Sequence, residues 1–126
     1  MEQPNPGQTV RQLVLHRLHD QAAKHGLSFF MTQHFLERVN ARCHDEEATF
    51  SGLAAAVNFV LGRLADLADQ RIGIKIDGHF YFLKASIAEK RFICLTYYYN
   101  TARVTFTEGA DRRFILTRKN YDTAKI

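Results

Sequence analysis

RIGIKIDGHFYFLKASI, residues 71–87, decides the fold reading. Ile72, Ile74 and Ile76 alternate with Gly73 and Lys75, the period of two that a half-buried strand requires. Asp77-Gly78 follows at once, and a two-residue hairpin turn wants positive φ at both central positions, which these residue types tolerate best. Residues 79–87 are then the returning strand. Working forward, residues 88–90 make a second turn, and residues 91–99, rich in aromatic and β-branched side chains, make a third strand. Asn100-Thr101 breaks the pattern, residues 103–107 are a fourth strand, residues 108–111 a turn, and residues 112–118 a fifth strand.

Working backward from residue 70, the period is helical. Leu53, Val57, Val60, Leu64 and Leu67 form a seam, with Arg63, Asp66 and Asp69 off it, and Thr49 or Ser51 is the expected N-cap. The acidic run at residues 44–47 separates this helix from another, which Thr32 opens and which runs to about residue 43. Residues 27–31 read as a short extended connector. Before them Val10, Val14, Leu18 and Ala22 recur at steps of four, with Thr9 or Gln8 near the N-cap and Gly26 as the stop. The expectation is an α+β domain: three N-terminal helices packed on one face of a C-terminal antiparallel meander sheet of four to five strands. Residues 1–8, with Pro4, Pro6 and Gly7, read as a leader, residues 9–118 as the single domain and residues 119–126 as a loose tail.

A chain of 126 residues with ten phenylalanines and five tyrosines has enough apolar material for one core without staples. Cys43 and Cys94 form no CxxC pair, so neither a disulfide framework nor a thiolate zinc knuckle is indicated. His16 and His19 stand at a spacing that suits a metal, but no third ligand lies at a recognisable offset, so no metal and no cofactor are expected. Residues 1–10 lack a signal-peptide pattern, and the apolar stretch near 53–68 is interrupted by Asn58, Arg63 and Asp66. Two lone thiols suit a reducing compartment, so a cytoplasmic protein that does not enter membranes is expected. No phosphate loop, Gly-rich nucleotide turn, HExxH zinc pair or nucleophile elbow is present. The net charge of +4 leans toward anionic partners, and residues 111–126 carry five cations against two acids.

The helix after Thr32 carries the most chemistry. With His34 at zero and about 100° per residue, Arg38 falls at about 40°, Arg42 at about 80°, Phe35 at about 100° and Val39 at about 140°. The basic column therefore borders the apolar face, where heads emerge beside the sheet while arginine stems cover core. Histidine titrates in the range of a general base or acid, and arginine's planar fork matches phosphate oxygens. Together they suit RNA cleavage, in which a 2′-hydroxyl attacks its neighbouring phosphate. The same column also suits the solvated edge of an ordinary packed helix.

Residues 28–43, SFFMTQHFLERVNARC, resemble a segment of the RegB family of phage endoribonucleases, in which a His opens a helix continued by Leu-x-Arg and a later Arg. They also resemble the RelE-like small domains that place such a helix ahead of an antiparallel sheet. The matching residues are Thr32, His34, Leu36, Arg38 and Arg42. The resemblance implies metal-independent cleavage of messenger RNA, with His34 as the residue carried over; the candidate catalytic set is His34 as base or acid with Arg38 and Arg42 as phosphate clamps. The RegB pattern has a second functional histidine in a downstream helical region. Here only His44 lies there, at closer spacing, and His79 lies elsewhere, so that role is unassigned. In RelE-like nucleases basic and tyrosine side chains of the late strands line the RNA groove, which implies Arg103, Arg113 and Arg118.

Tyr97-Tyr98-Tyr99 sends two rings to one sheet face and one to the other, with Tyr98 in parity with Phe92 and Cys94. A ring such as Tyr98 beside arginines suits stacking of unpaired bases, and strand tyrosines equally suit plain packing. Two functions are therefore carried forward. One is an RNA-acting domain, in its fullest form an endoribonuclease. The other is a non-enzymatic module encoded by a phage or mobile element, which binds a protein (an inhibitor or other partner) or a nucleic acid.

Overall fold

The computed structural model describes residues 9–42, 45–99 and 109–117, with Arg42 described in its backbone alone. The expected strand at 103–107, together with Cys43, His44, Arg103 and Arg118, lies outside the described residues. Helix α1 (Val10–Ala23) starts on a reciprocal cap: the Thr9 hydroxyl accepts from the Gln12 N–H at 3.1 Å, and the Gln12 side chain accepts from the Thr9 N–H at 2.9 Å. Gly26, at φ +75°, turns the chain so that the Leu27 N–H reaches the Ala22 carbonyl at 3.0 Å.

Residues 27–31 are more than a connector, because they contain a strand, β1 (Ser28–Met31). Phe29 is buried, and a backbone drawn into the interior must find partners for its polar groups. It finds them on β4 (Arg91–Tyr99), to which β1 runs parallel, with Phe29 opposite Phe92. Thr32 then caps α2 (Gln33–Arg42), its hydroxyl accepting from the Phe35 N–H at 3.0 Å and donating to the Leu95 carbonyl at 2.9 Å. One side chain thus ends a strand, starts a helix and ties both to β4.

Helix α3 (Glu46–Leu61) begins earlier than expected. Asp45, not Thr49 or Ser51, is the cap, accepting from the Ala48 N–H at 3.1 Å, and Glu46 and Glu47 fill the first turn. The acidic run is a helix start, where carboxylates meet the positive end of the peptide dipoles. Gly62 and Arg63 interrupt the helix, and a short fourth one, α4 (Leu64–Leu67), brings Leu67 into the core. Among the described residues no helix is long and apolar enough to cross a membrane.

Strands β2 (Arg71–Ile76), β3 (His79–Ser86) and β4 form the expected antiparallel meander, and Asp77 and Gly78 turn the hairpin at φ +47° and +86°. The full sheet is mixed, which corrects the expectation of a purely antiparallel one. Its order is β1-β4-β3-β2-β5, with β5 (Arg112–Leu116) parallel to β2. A meander would place the next strand beside β4, but β1 already pairs with β4 from Arg91 to Cys94. The last strand takes the other edge instead.

A second correction concerns parity. Phe82 lies opposite Thr96 while Leu83 lies opposite Cys94, so β4 carries one extra residue at Leu95. Such a bulge reverses the side on which every later residue points. Phe92, Cys94, Tyr97 and Tyr99 therefore share the helix-covered side, and Tyr98 faces away. On the covered side α3 meets β3 closely: the Tyr81 hydroxyl donates to the Thr49 carbonyl at 2.6 Å. A Cβ on Gly52 would collide with that hydroxyl. The Phe59 and Phe114 rings meet at 4.8 Å, and α2 sets the buried Phe35 edge-on to Tyr97 at 6.5 Å.

Candidate nucleic-acid interface

None of the five described strands contains an aspartate or glutamate, and together they hold six Lys and Arg residues: Arg71, Lys75, Lys84, Arg91, Arg112 and Arg113. Alternation assigns them to sides. Arg112 is in step with the buried Ile72 and Phe114, and it binds the Asp66 carboxylate through two contacts of 3.2 Å. The other five point away from the helices. Four rows cross this open side: Ser28–Arg91–Ser86, then Phe30–Ile93–Lys84–Arg71, then Thr96–Phe82–Gly73–Arg113, then Tyr98–Phe80–Lys75–Ile115.

The rings in these rows are not equally accessible. Phe80 and Phe82 are 7% and 8% exposed, too little for either to stack a base. Phe30 is 43% exposed, and Tyr98 is partly exposed. Each of these two rings carries an arginine. The Arg38 guanidinium carbon lies 5.2 Å from the Tyr98 centroid, and that of Arg91 lies 5.1 Å from the Phe30 centroid. Lys75 Nζ sits 5.5 Å from Phe80. Such contacts are worth about 0.5–1 kcal/mol each at exposed sites, enough to orient a ring and hold a cation beside it.

Of the residues predicted from sequence, the structure brings Arg38, Tyr98 and Arg113 to the open side. Arg38 arrives from the margin of α2, whose Phe35 and Val39 are buried. Arg113 stands three strands from Tyr98, roughly 14 Å at ordinary strand spacing. His34 is exposed on the first turn of α2. His79 does not join them: it is buried on the helix-covered side, with Nδ1 2.8 Å from the Tyr97 hydroxyl. It is a core histidine held by a tyrosine, on the side of the sheet opposite Tyr98.

Other titratable groups have structural settings. His16 faces Asp20 at 3.7 Å, and the His19 ring meets the Phe29 edge 5.2 Å away. Among the described residues no group of three His, Cys, Asp or Glu could hold a metal ion. Cys94 is buried, and loss of hydration pushes its thiol well above the usual thiol range. Comparison with family models, with curated proteins and with solved structures returned no match. Sequence reasoning missed Phe30, Arg91, Lys75 and Lys84. The cations had a signal in the absence of acids from residues 71–99 other than the Asp77 turn and Glu89, whereas the pairing of Arg91 with Phe30 had none.

Proposed function

We propose that this chain is an RNA-acting domain that holds unpaired RNA across the open side of its sheet and the adjoining margin of α2. The observation that carries the reading is Arg38 poised over Tyr98. It joins the basic column of α2 to a partly exposed ring on a sheet side whose strands lack acids. A ring with free surface stacks any unpaired base, and surrounding cations neutralise phosphates, a combination typical of single-strand binders. The resemblance of residues 28–43, Arg38 among them, to RegB-type and RelE-like nucleases adds support to the same reading.

The endoribonuclease form of this proposal adds one step at His34, which solvent and substrate can reach. His34 takes the proton from a 2′-hydroxyl, the freed oxygen bonds to the adjacent phosphorus, and the bond from phosphorus to the 5′-oxygen breaks. The 5′-oxygen takes a proton from water and the resulting hydroxide takes the proton held by His34, leaving a 2′,3′-cyclic phosphate, a 5′-hydroxyl end and neutral His34. Arg38 and Arg42 stabilise the negative charge that builds on the phosphorane. The test is to incubate purified protein with mixed unpaired RNA in EDTA, following binding and new ends together. Cleavage lost in His34→Ala but binding retained supports the nuclease. Binding without cleavage, weakened by Arg38→Ala, supports an RNA-binding domain alone. If wild type leaves RNA intact and binds it no better than Arg38→Ala does, the RNA reading fails.

A further inference from the structure

Resting on that reading, the geometry points to a second base-stacking position at Phe30–Arg91, so that the ligand is a single strand lying along β4 from Tyr98 to Phe30. Among the described residues Phe30 is the most exposed phenylalanine or tyrosine, which leaves its ring accessible to a ligand. It sits on the edge strand β1, opposite Ile93 of β4, and Arg91 is placed over its ring. The pair repeats the arrangement of Tyr98 and Arg38 at the other end of the same strand. Both rings face the open side, and both have an arginine where a neighbouring phosphate would fall.

Between them the occupant is constrained by charge. Lys84 lies in the row of Phe30 and Lys75 in the row of Tyr98, and no acid stands in any row. A polyanion matches this track. Duplex RNA presents phosphates and hides its base faces, so it would leave both rings uncovered, whereas an unpaired strand uses rings and cations alike. Four residues of β4 lie between Ile93 and Tyr98, one of them the bulged Leu95, and the matching span on β3 is the four steps from Lys84 to Phe80, so the rings stand roughly 14 Å apart at ordinary strand rise and spacing. A strand that engages both needs about four to six nucleotides if its spacing approaches that of stacked bases.

The test measures affinity for unpaired RNA oligomers of two to ten nucleotides at fixed salt, with a duplex of the same sequence as control. The expected result is a rise of about tenfold or more as the oligomer becomes long enough to reach both rings, and weaker binding of the duplex. Phe30→Ala should abolish that rise, while dinucleotides, which Tyr98 and Arg38 still hold, lose no more than about twofold in affinity. Phe30→Tyr should restore it, and Phe30→Leu, apolar but unable to stack, should not. Tyr98→Ala should instead weaken short and long oligomers alike. Affinity that climbs smoothly with length in wild type and Phe30→Ala, while still depending on Arg38 and Tyr98, overturns the second position and leaves the RNA reading standing. No binding by wild type at any length overturns both.

Discussion

On its covered side the sheet presents Ile72, Ile74, Tyr81, Leu83, Phe92 and Tyr97, all fully buried against the helices. On its open side the same strands present Arg71, Lys75, Lys84, Arg91 and Arg113, with rings among them. The two sides differ in what explains them. The covered side is accounted for by burial, since close packing and apolar area hold the fold together. The open side is only partly so: Phe80 and Phe82 are buried there, but burial does not explain its cations, because like charges gathered on one surface repel and oppose compaction. Edge protection against strand-to-strand aggregation accounts for Arg113 on β5 and for the exposed edge at β1. It does not account for Lys84 on β3, the central strand of five. The polyanionic ligand proposed above would account for all five cations at once.

The contrast breaks first if the covered side proves tolerant. Phe35→Ala should cost about 3–5 kcal/mol in urea unfolding, since it empties a fully enclosed site between α2 and Tyr97. Gly52→Ala comes next, at about 1–3 kcal/mol, because the new methyl meets the anchored Tyr81 hydroxyl. Tyr81→Phe alone should cost about 1 kcal/mol through its lost bond to Thr49. In combination with Gly52→Ala it should recover part of the loss, a coupling that a double-mutant cycle reads directly. Tyr98→Ala on the open side should change stability by about 1 kcal/mol or less while weakening RNA binding. The smallest effect is at Cys94, whose thiol should resist thiol reagents at neutral pH until the protein unfolds. Burial holds that thiol protonated in the folded chain, while the unfolded chain releases the proton above its ordinary value of 9.0. Stability should therefore be flat below that pH and fall above it, by at most about 1.4 kcal/mol per pH unit from this group.

The three central strands were legible because Ile72, Ile74 and Ile76 alternate strictly and Asp77-Gly78 supplies the turn. β1 was hidden because four residues between two helices carry no period long enough to read, and its pairing with β4 is set by tertiary contact. The bulge at Leu95 was hidden for a related reason. Nothing in RFICLTYYY marks the extra residue, yet it moves Tyr98 away from Phe92 and Cys94. The site followed the same division. Arg38 at the apolar margin was readable from the helical repeat. Its partner ring, and the companion pair Phe30–Arg91, required the register. His79, read as one of two choices for the second histidine, turned out to belong to the core.

Salt-dependent binding of a labelled unpaired RNA oligomer, compared between Lys84→Glu and Arg17→Glu, tests the central claim most directly. Both variants change net charge equally, one on the open side of the sheet and one on the exposed face of α1. The expected result is a loss of tenfold or more for Lys84→Glu, with a shallower dependence of log K on log salt by about 0.7 or more, and little change for Arg17→Glu. Equal losses in the two variants, or none in either, would contradict the account.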